Sequence, residues 1–305
     1  MTLNTYINSL IENINENNLP GEIDLVLDSG AFNGVYMMGA LFYIKEIERR
    51  EKIKINRISG ASIGSVLGLL FLLDKLDLTM GIALKGYKIL RKSQDLTKFK
   101  KKLNELMINN LKEDDLDKIN GKLYITYFDT TKNKQIIKKK YKNCEEVKNT
   151  ILKSMHVPYL FDRNITDNEG CIDGAFPYIF KQKKRENKKI LFVNLQSFDK
   201  FINMIYIKKE KNIYSRVFNG ILDIHIFFSE NKPTKMCSYV NEWAIKDILL
   251  FRLREIIYTM IVYILSIGLQ IEKYIPESWK REKIIIKFVT IFKSVWRDIL
   301  IYLTI

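Results

Sequence analysis

The sequence predicts an α/β fold: a three-layer α/β/α sandwich around a mainly parallel central sheet, with a helical, apolar and basic C-terminal region beyond it. Three observations predict this. Short apolar runs near Ile23–Leu27 and Ile55–Ser59 each enter a turn of small residues and then a helical pattern. That order of strand, loop, helix, strand, turn, helix argues for parallel strands with helices on both faces. With 305 residues, 47% of them hydrophobic, the chain can bury a full core and suits one large domain plus an appendage.

Residues 1–20 read as a short amphipathic helix ending near Asn17-Asn18-Leu19-Pro20. The first strand (Ile23–Leu27) runs through Ser29-Gly30-Ala31-Phe32-Asn33-Gly34 into a helix with Val35, Met38, Leu41, Phe42 and Ile44 on one side. The second strand precedes Gly60-Ala61-Ser62-Ile63-Gly64, and the apolar Val66–Leu73 continues as helix. Leu76–Leu111 reads as two helices with Lys and Arg facing solvent. Lys122–Asp129 and Lys134–Lys139 read as strands joined by Thr130-Thr131-Lys132-Asn133, Glu145–Met155 as a helix, and Ile190–Leu195 as a buried strand. No internal repeat is present. The parse is 1–20 N-terminal helix, 21–240 main domain and 241–305 C-terminal region.

Gly60-Ala61-Ser62-Ile63-Gly64 carries the most chemistry. Between a strand and a helix it has the setting of a nucleophile elbow, where the Ser sits on a strained turn with its Oγ raised above the sheet. Small residues are needed two positions either side because strand and helix pass too closely for side chains. Upstream, N–H groups at the 29–34 turn converge at a helix N-terminus and favour negative charge there. In acyl transfer that spot would hold the oxyanion, with each donor worth roughly 3 kcal/mol. A dinucleotide-binding loop is set aside, because Gly30, Gly34 and Gly39 miss the required spacing. Downstream, Asp173-Gly174-Ala175 lets a carboxylate approach another backbone segment, although Asp-Gly is also a common plain turn.

Taken in order, these three elements resemble the patatin-like phospholipase family. Its signature is a glycine-rich loop after the first strand, then Gly-x-Ser-x-Gly, then Asp-Gly-Gly or Asp-Gly-Ala, with a Pro-containing segment shortly before the acid. Val35-Tyr36, Gly39-Ala40-Leu41 and Pro158 with Phe161 fit the same pattern, and the resemblance spans roughly residues 20–200. It implies a serine lipid acyl hydrolase, a carboxylic ester hydrolase of phospholipase A or lysophospholipase type. Ser62 would be the nucleophile and Asp173 the base of a dyad. Gly30, Ala31 and Phe32 would supply the oxyanion-hole N–H groups, and Gly34, Gly60, Gly64 and Gly174 would be the motif glycines. No metal and no cofactor is implied. The loop departs from the family's Gly-Gly-Gly-x-Arg/Lys-Gly: Ser29 and Ala31 replace glycines and Asn33 replaces the cation. A positive φ at Ala31 would cost about 1 kcal/mol. That altered loop is the best support for the alternative, a catalytically silent membrane-binding protein that retains the fold.

The chain has two histidines, His156 and His225. A Ser62, Asp173, His225 triad has the chain order of an α/β-hydrolase, yet the serine comes very early, and His225 in Leu222–Phe228 (an apolar strand or helix end) reads as structural. The net charge of +15 favours anionic partners, and a phospholipid surface fits better than nucleic acid because the basic runs lack RNA-binding aromatics. Abundant Lys, Asn and Ile are also what AT-rich coding produces. Cys144, Cys171 and Cys237 suit a reducing compartment. The N-terminus reads as lacking a secretory signal, so the expectation is a cytoplasmic protein peripherally associated with membrane. Ile256–Ile271 carries no charge but is short of the ~20 residues that span a bilayer. Ile285, Phe288, Val289, Phe292, Val295, Trp296 and Ile299 oppose Lys283, Lys287, Lys293 and Arg297, which reads equally as an interfacial helix or as core.

Overall fold

The strands, in chain order, are β1 (Glu22–Leu27), β2 (Lys54–Ala61), β3 (Leu123–Asp129), β4 (Lys134–Lys138), β5 (Cys171–Asp173), β6 (Lys189–Val193) and β7 (Cys237–Tyr239). In a computed structural model that describes residues 2–93, 97–158, 164–181, 188–196 and 212–274, they form one sheet in the order β4-β3-β2-β1-β6-β7, with β5 also paired to β3. The centre is parallel, as expected: β1 pairs in parallel with both β2 and β6, and β2 with β3. The outer strands β4, β5 and β7 are antiparallel.

The helices are α1 (Leu3–Glu12), α2 (Gly34–Arg49), α3 (Ile63–Leu72), α4 (Leu78–Ser93), α5 (Thr97–Asn110), α6 (Leu116–Ile119), α7 (Cys144–Ser154), α8 (Tyr214–Glu230) and α9 (Ile245–Tyr274). Strand order fixes where the first ones lie. The crossovers β1–α2–β2 and β2–α3–β3 step the same way along the sheet, so right-handed connections put α2 and α3 on one face. Leu25, Leu27, Ile58, Leu123, Ile125, Leu191 and Val193 point to that face and bury against α1, α2, α3, α7 and α8. Val26, Ile190 and Phe192 point to the other, where Phe176, Phe180 and Phe251 of α9 cover them.

The Leu222–Phe228 run belongs to α8, a helix and not a strand. Its Val217, Ile221, Ile224 and Phe228 are buried at helical spacing. It packs on α2 closely enough that a Cβ on Gly39 would lie 2.0 Å from the Val217 carbonyl oxygen, and one on Gly220 1.9 Å from that of Tyr36. Among the described residues no helix is long and apolar enough to cross a membrane. The apolar and basic pattern at 283–299 lies outside the described residues, as do most of the Lys181–Lys189 run and Lys208–Lys211.

Candidate active site

Ser62 occupies the turn between β2 and α3 at φ 52°, ψ −124°, a strained conformation for a residue with a Cβ. The flanking glycines permit it. A Cβ on Gly60 would meet the Gly64 carbonyl carbon at 2.5 Å, and one on Gly64 the Leu27 carbonyl oxygen at 2.5 Å. Strand and helix therefore cross with no room for side chains, as the elbow reading requires. The turn is held from outside by the Ser62 N–H, which donates to Ser154 Oγ at 2.9 Å.

The acid reaches this turn through β3. Thr126 pairs with Ala61 of β2, and the next residue, Tyr127, pairs with Asp173 of β5. Consecutive positions of one strand thus set the ends of the serine and acid strands side by side. Gly174 lets β5 close in, since a Cβ there would sit 2.2 Å from the Thr126 carbonyl oxygen. The Asp173 carboxylate accepts a hydrogen bond from the Ala175 N–H at 2.7 Å, and the Ser62 hydroxyl lies close enough to favour its anionic form. Burial pushes its pKa up to about 6, against the opposing pull of those two donors.

The third element is the turn after β1. Ala31 stands at φ 44°, the positive value that costs a residue with a Cβ about 1 kcal/mol, and the Asn33 N–H closes the turn on the Gly30 carbonyl at 2.8 Å. A Cβ on Gly34 would strike Ile63 Cγ1 at 2.4 Å, so this loop lies directly against the start of α3. Ser29 Oγ donates to the Ala175 carbonyl at 2.6 Å, joining the loop to the acid motif. The Gln196 side chain spans both, at 3.3 Å from the Ser29 and Ala175 carbonyls. Behind the loop lies Asp28, fully buried and bonded to the N–H groups of Ser29 and Leu195 and to Arg254 Nη2 at 3.1 Å. Burial still holds its pKa up. Asn33 replaces a loop cation, yet a cation returns from α8: buried Arg216 donates through Nη1 to Asn33 Oδ1 at 3.2 Å.

Ala31, Phe32, Gly34 and Ser62 line one cavity of about 80 Å³, whose remaining wall includes Val35, Met38, Val66, Leu67, Leu70, Ile82, Phe99, Met155 and Val157. The serine and the small-residue loop thus share one predominantly apolar slot. A family model described as patatin-like phospholipase matches residues 25–180, about half of the chain. The chain belongs to the patatin-like phospholipases. No curated protein matches it significantly. The family generally comprises lipid acyl hydrolases.

Of the two histidines in this patatin-like chain, His225 sits on α8 with Nδ1 at 2.8 Å from Tyr43 Oη. His156 accepts the Asp173 N–H on its backbone carbonyl at 2.8 Å. Phe161 lies outside the described residues. Sequence reasoning missed Ser154, Gln196, Arg216, Arg254 and Tyr258, whose hydroxyl donates to the Asp173 carbonyl at 2.6 Å. All but Ser154 lie beyond the matched stretch. No local spacing marks them, because each acts by a contact made only when distant segments fold together.

Proposed function

We propose that this patatin-like protein is a serine lipid acyl hydrolase of phospholipase A or lysophospholipase type, working at membrane surfaces with a Ser62–Asp173 dyad. The Ser62 hydroxyl, lining an apolar cavity and set beside the buried Asp173 carboxylate whose anion it favours, carries the reading. Asp173 takes the hydroxyl proton as Ser62 Oγ attacks the ester carbonyl. The N–H groups of Gly30, Ala31 and Phe32 receive the developing oxyanion. The tetrahedral intermediate collapses to an acyl-enzyme, and Asp173 returns the proton to the departing alcohol. The same carboxylate then takes a proton from water, whose attack on the acyl-enzyme frees the fatty acid and restores Ser62. The apolar wall of Val35, Met38 and Leu67 suits the first few carbons of an acyl chain beside its carboxyl end. A carboxylate that is buried but hydrogen-bonded meets the dyad's demand for a base stronger than an exposed Asp.

The test is fatty-acid release from phospholipid vesicles by wild type, Ser62→Ala, Asp173→Asn and His225→Ala. Release should fall at least ~10³-fold in the first two variants and persist in the third. Loss in all three would replace the dyad with a triad. No release by wild type, with vesicle binding intact, would leave the catalytically silent membrane binder.

A further inference from the structure

Helix α9 is amphipathic the wrong way round for a surface helix. Phe251, Arg254, Glu255 and Tyr258 recur at helical spacing and face the body, with Phe251 buried and the other three partly so. The opposite face carries Leu249, Leu253, Ile256, Ile257 and Met260, each 50–63% exposed. Solvent-facing helical positions are normally polar, and a contiguous apolar stripe of this kind marks a contact surface. Ile256–Ile271 contains no charged residue, and the helix continues through it to Tyr274.

The inward face holds both halves of the candidate site. Arg254 pairs with Asp28, directly before the oxyanion loop, at 3.1 Å. One turn further on, Tyr258 donates to the Asp173 carbonyl at 2.6 Å. Both residues lie outside the stretch that matches the family model.

We propose that the outward face of α9 docks on an anionic phospholipid surface and that Arg254 and Tyr258 transmit docking to the Asp28–Phe32 loop and to β5 with the turn after it, Cys171–Ala175. This rests on the lipid hydrolase reading for its purpose, but not for its test. Two features commit the face to lipid. The chain's net charge of +15 opposes association of two copies and favours an anionic surface. The stripe is flanked by Lys246 and by Arg252, the latter paired with Glu255, and runs into an uncharged stretch, as on an interfacial helix. Tyr258 is a positioning residue: it touches the backbone of the acid and not the reacting atoms.

The test uses the full chain and vesicles of ether-linked phosphatidylcholine with or without ether-linked phosphatidylglycerol, which hold no ester to cleave. Wild type should bind the anionic vesicles more tightly than the neutral ones. Leu253→Glu with Ile257→Glu should weaken that binding by about a hundredfold, roughly tenfold per side chain kept out of the lipid. Leu249→Asp with Ile256→Asp is the second pair, should the first unfold as judged by thermal melting. Hydrogen exchange on vesicle-bound wild type should slow about tenfold at these two segments. Tyr258→Phe should bind equally well yet lose the slowing at Cys171–Ala175. Binding unchanged in both outer-face pairs, with a dimer converted to monomer, would make the stripe a subunit interface and overturn the proposal. Exchange unaltered by docking in wild type would overturn the coupling. An enzyme inactive on ester lipids would sink the hydrolase reading alone, since neither measurement needs turnover.

Discussion

The proposed dyad asks Asp173 to be both buried and ionised, and the two requirements conflict. Burial raises its pKa to about 6, although the Ser62 hydroxyl and the Ala175 N–H favour the anion. A carboxylate whose folded-state pKa is raised adds stability that is fully present below its unfolded pKa, near 4. That contribution is lost as pH rises through about 6. At pH 8 the folded protein therefore carries a penalty of about 2–3 kcal/mol at this one side chain. Asp173→Asn keeps an acceptor for the Ala175 N–H and removes the charge. It should raise the unfolding free energy at pH 8 by about 2 kcal/mol, with the advantage closing below about pH 4. Urea titrations at the two pH values check this, and a variant less stable than wild type at both would show that the bonds to the anion outweigh its burial. In the proposed dyad the same group sets the acid limb of activity. If Asp173 is the base, kcat/KM should fall about tenfold per pH unit below about 6. Burial lowers the pKa of His225, so it also titrates on the acid side of neutrality, and His225→Ala decides between them by leaving the limb in place.

At the scale of elements, the closest approach that governs packing is between α2 and α8. Gly220 faces the Tyr36 carbonyl so tightly that a single methyl would sit 1.9 Å from it, and two helix backbones would have to separate to admit it. Gly220→Ala should destabilise by about 3 kcal/mol, the upper range for overpacking. Gly81 on α4 meets nothing within 4 Å, so Gly81→Ala should instead stabilise by about 1 kcal/mol through helix propensity. Equal effects in chemical denaturation would refute the argument from close approach. This contrast also shows what the sequence makes legible. Ser62 between Gly60 and Gly64, and the turn from Ser29 to Gly34, are local: strand, turn and helix are adjacent in the chain, so spacing alone places them. The Leu222–Phe228 run was ambiguous because a short apolar run fits either period, until Val217 and Ile221 extended it as helix. The pairing of Asp173 beside Ala61 on β3 depends on register over more than a hundred residues, and no pattern in Cys171–Asp173 encodes it. Arg254 and Tyr258 read as interruptions in an apolar run. Only the fold reveals that the interruptions face inward and the apolar residues face out.

For the whole molecule, surface binding should combine two contributions that salt separates. The net charge of +15 includes clusters at Lys98–Lys102 and Lys138–Lys142, mostly exposed on α5 and after β4. Each Lys or Arg close to an anionic bilayer contributes about 1 kcal/mol, and that attraction fades as the screening length falls from about 10 Å at 0.1 M to about 3 Å at 1 M salt. Burial of Leu253, Ile257 and their neighbours in lipid does not fade, because the transfer of apolar surface is not an interaction between charges. Affinity for anionic vesicles should therefore drop steeply from low to moderate salt and then level off, with the Leu253→Glu, Ile257→Glu chain following the same drop but no plateau. Vesicle co-sedimentation across a salt series measures both. Affinity flat throughout would mean that the basic clusters play no part in docking and that their lysines only solvate the surface. Affinity falling to nothing in wild type would remove the apolar face of α9 from the contact. Stronger, steeply salt-dependent binding to DNA than to vesicles would move the positive charge to a different class of partner altogether.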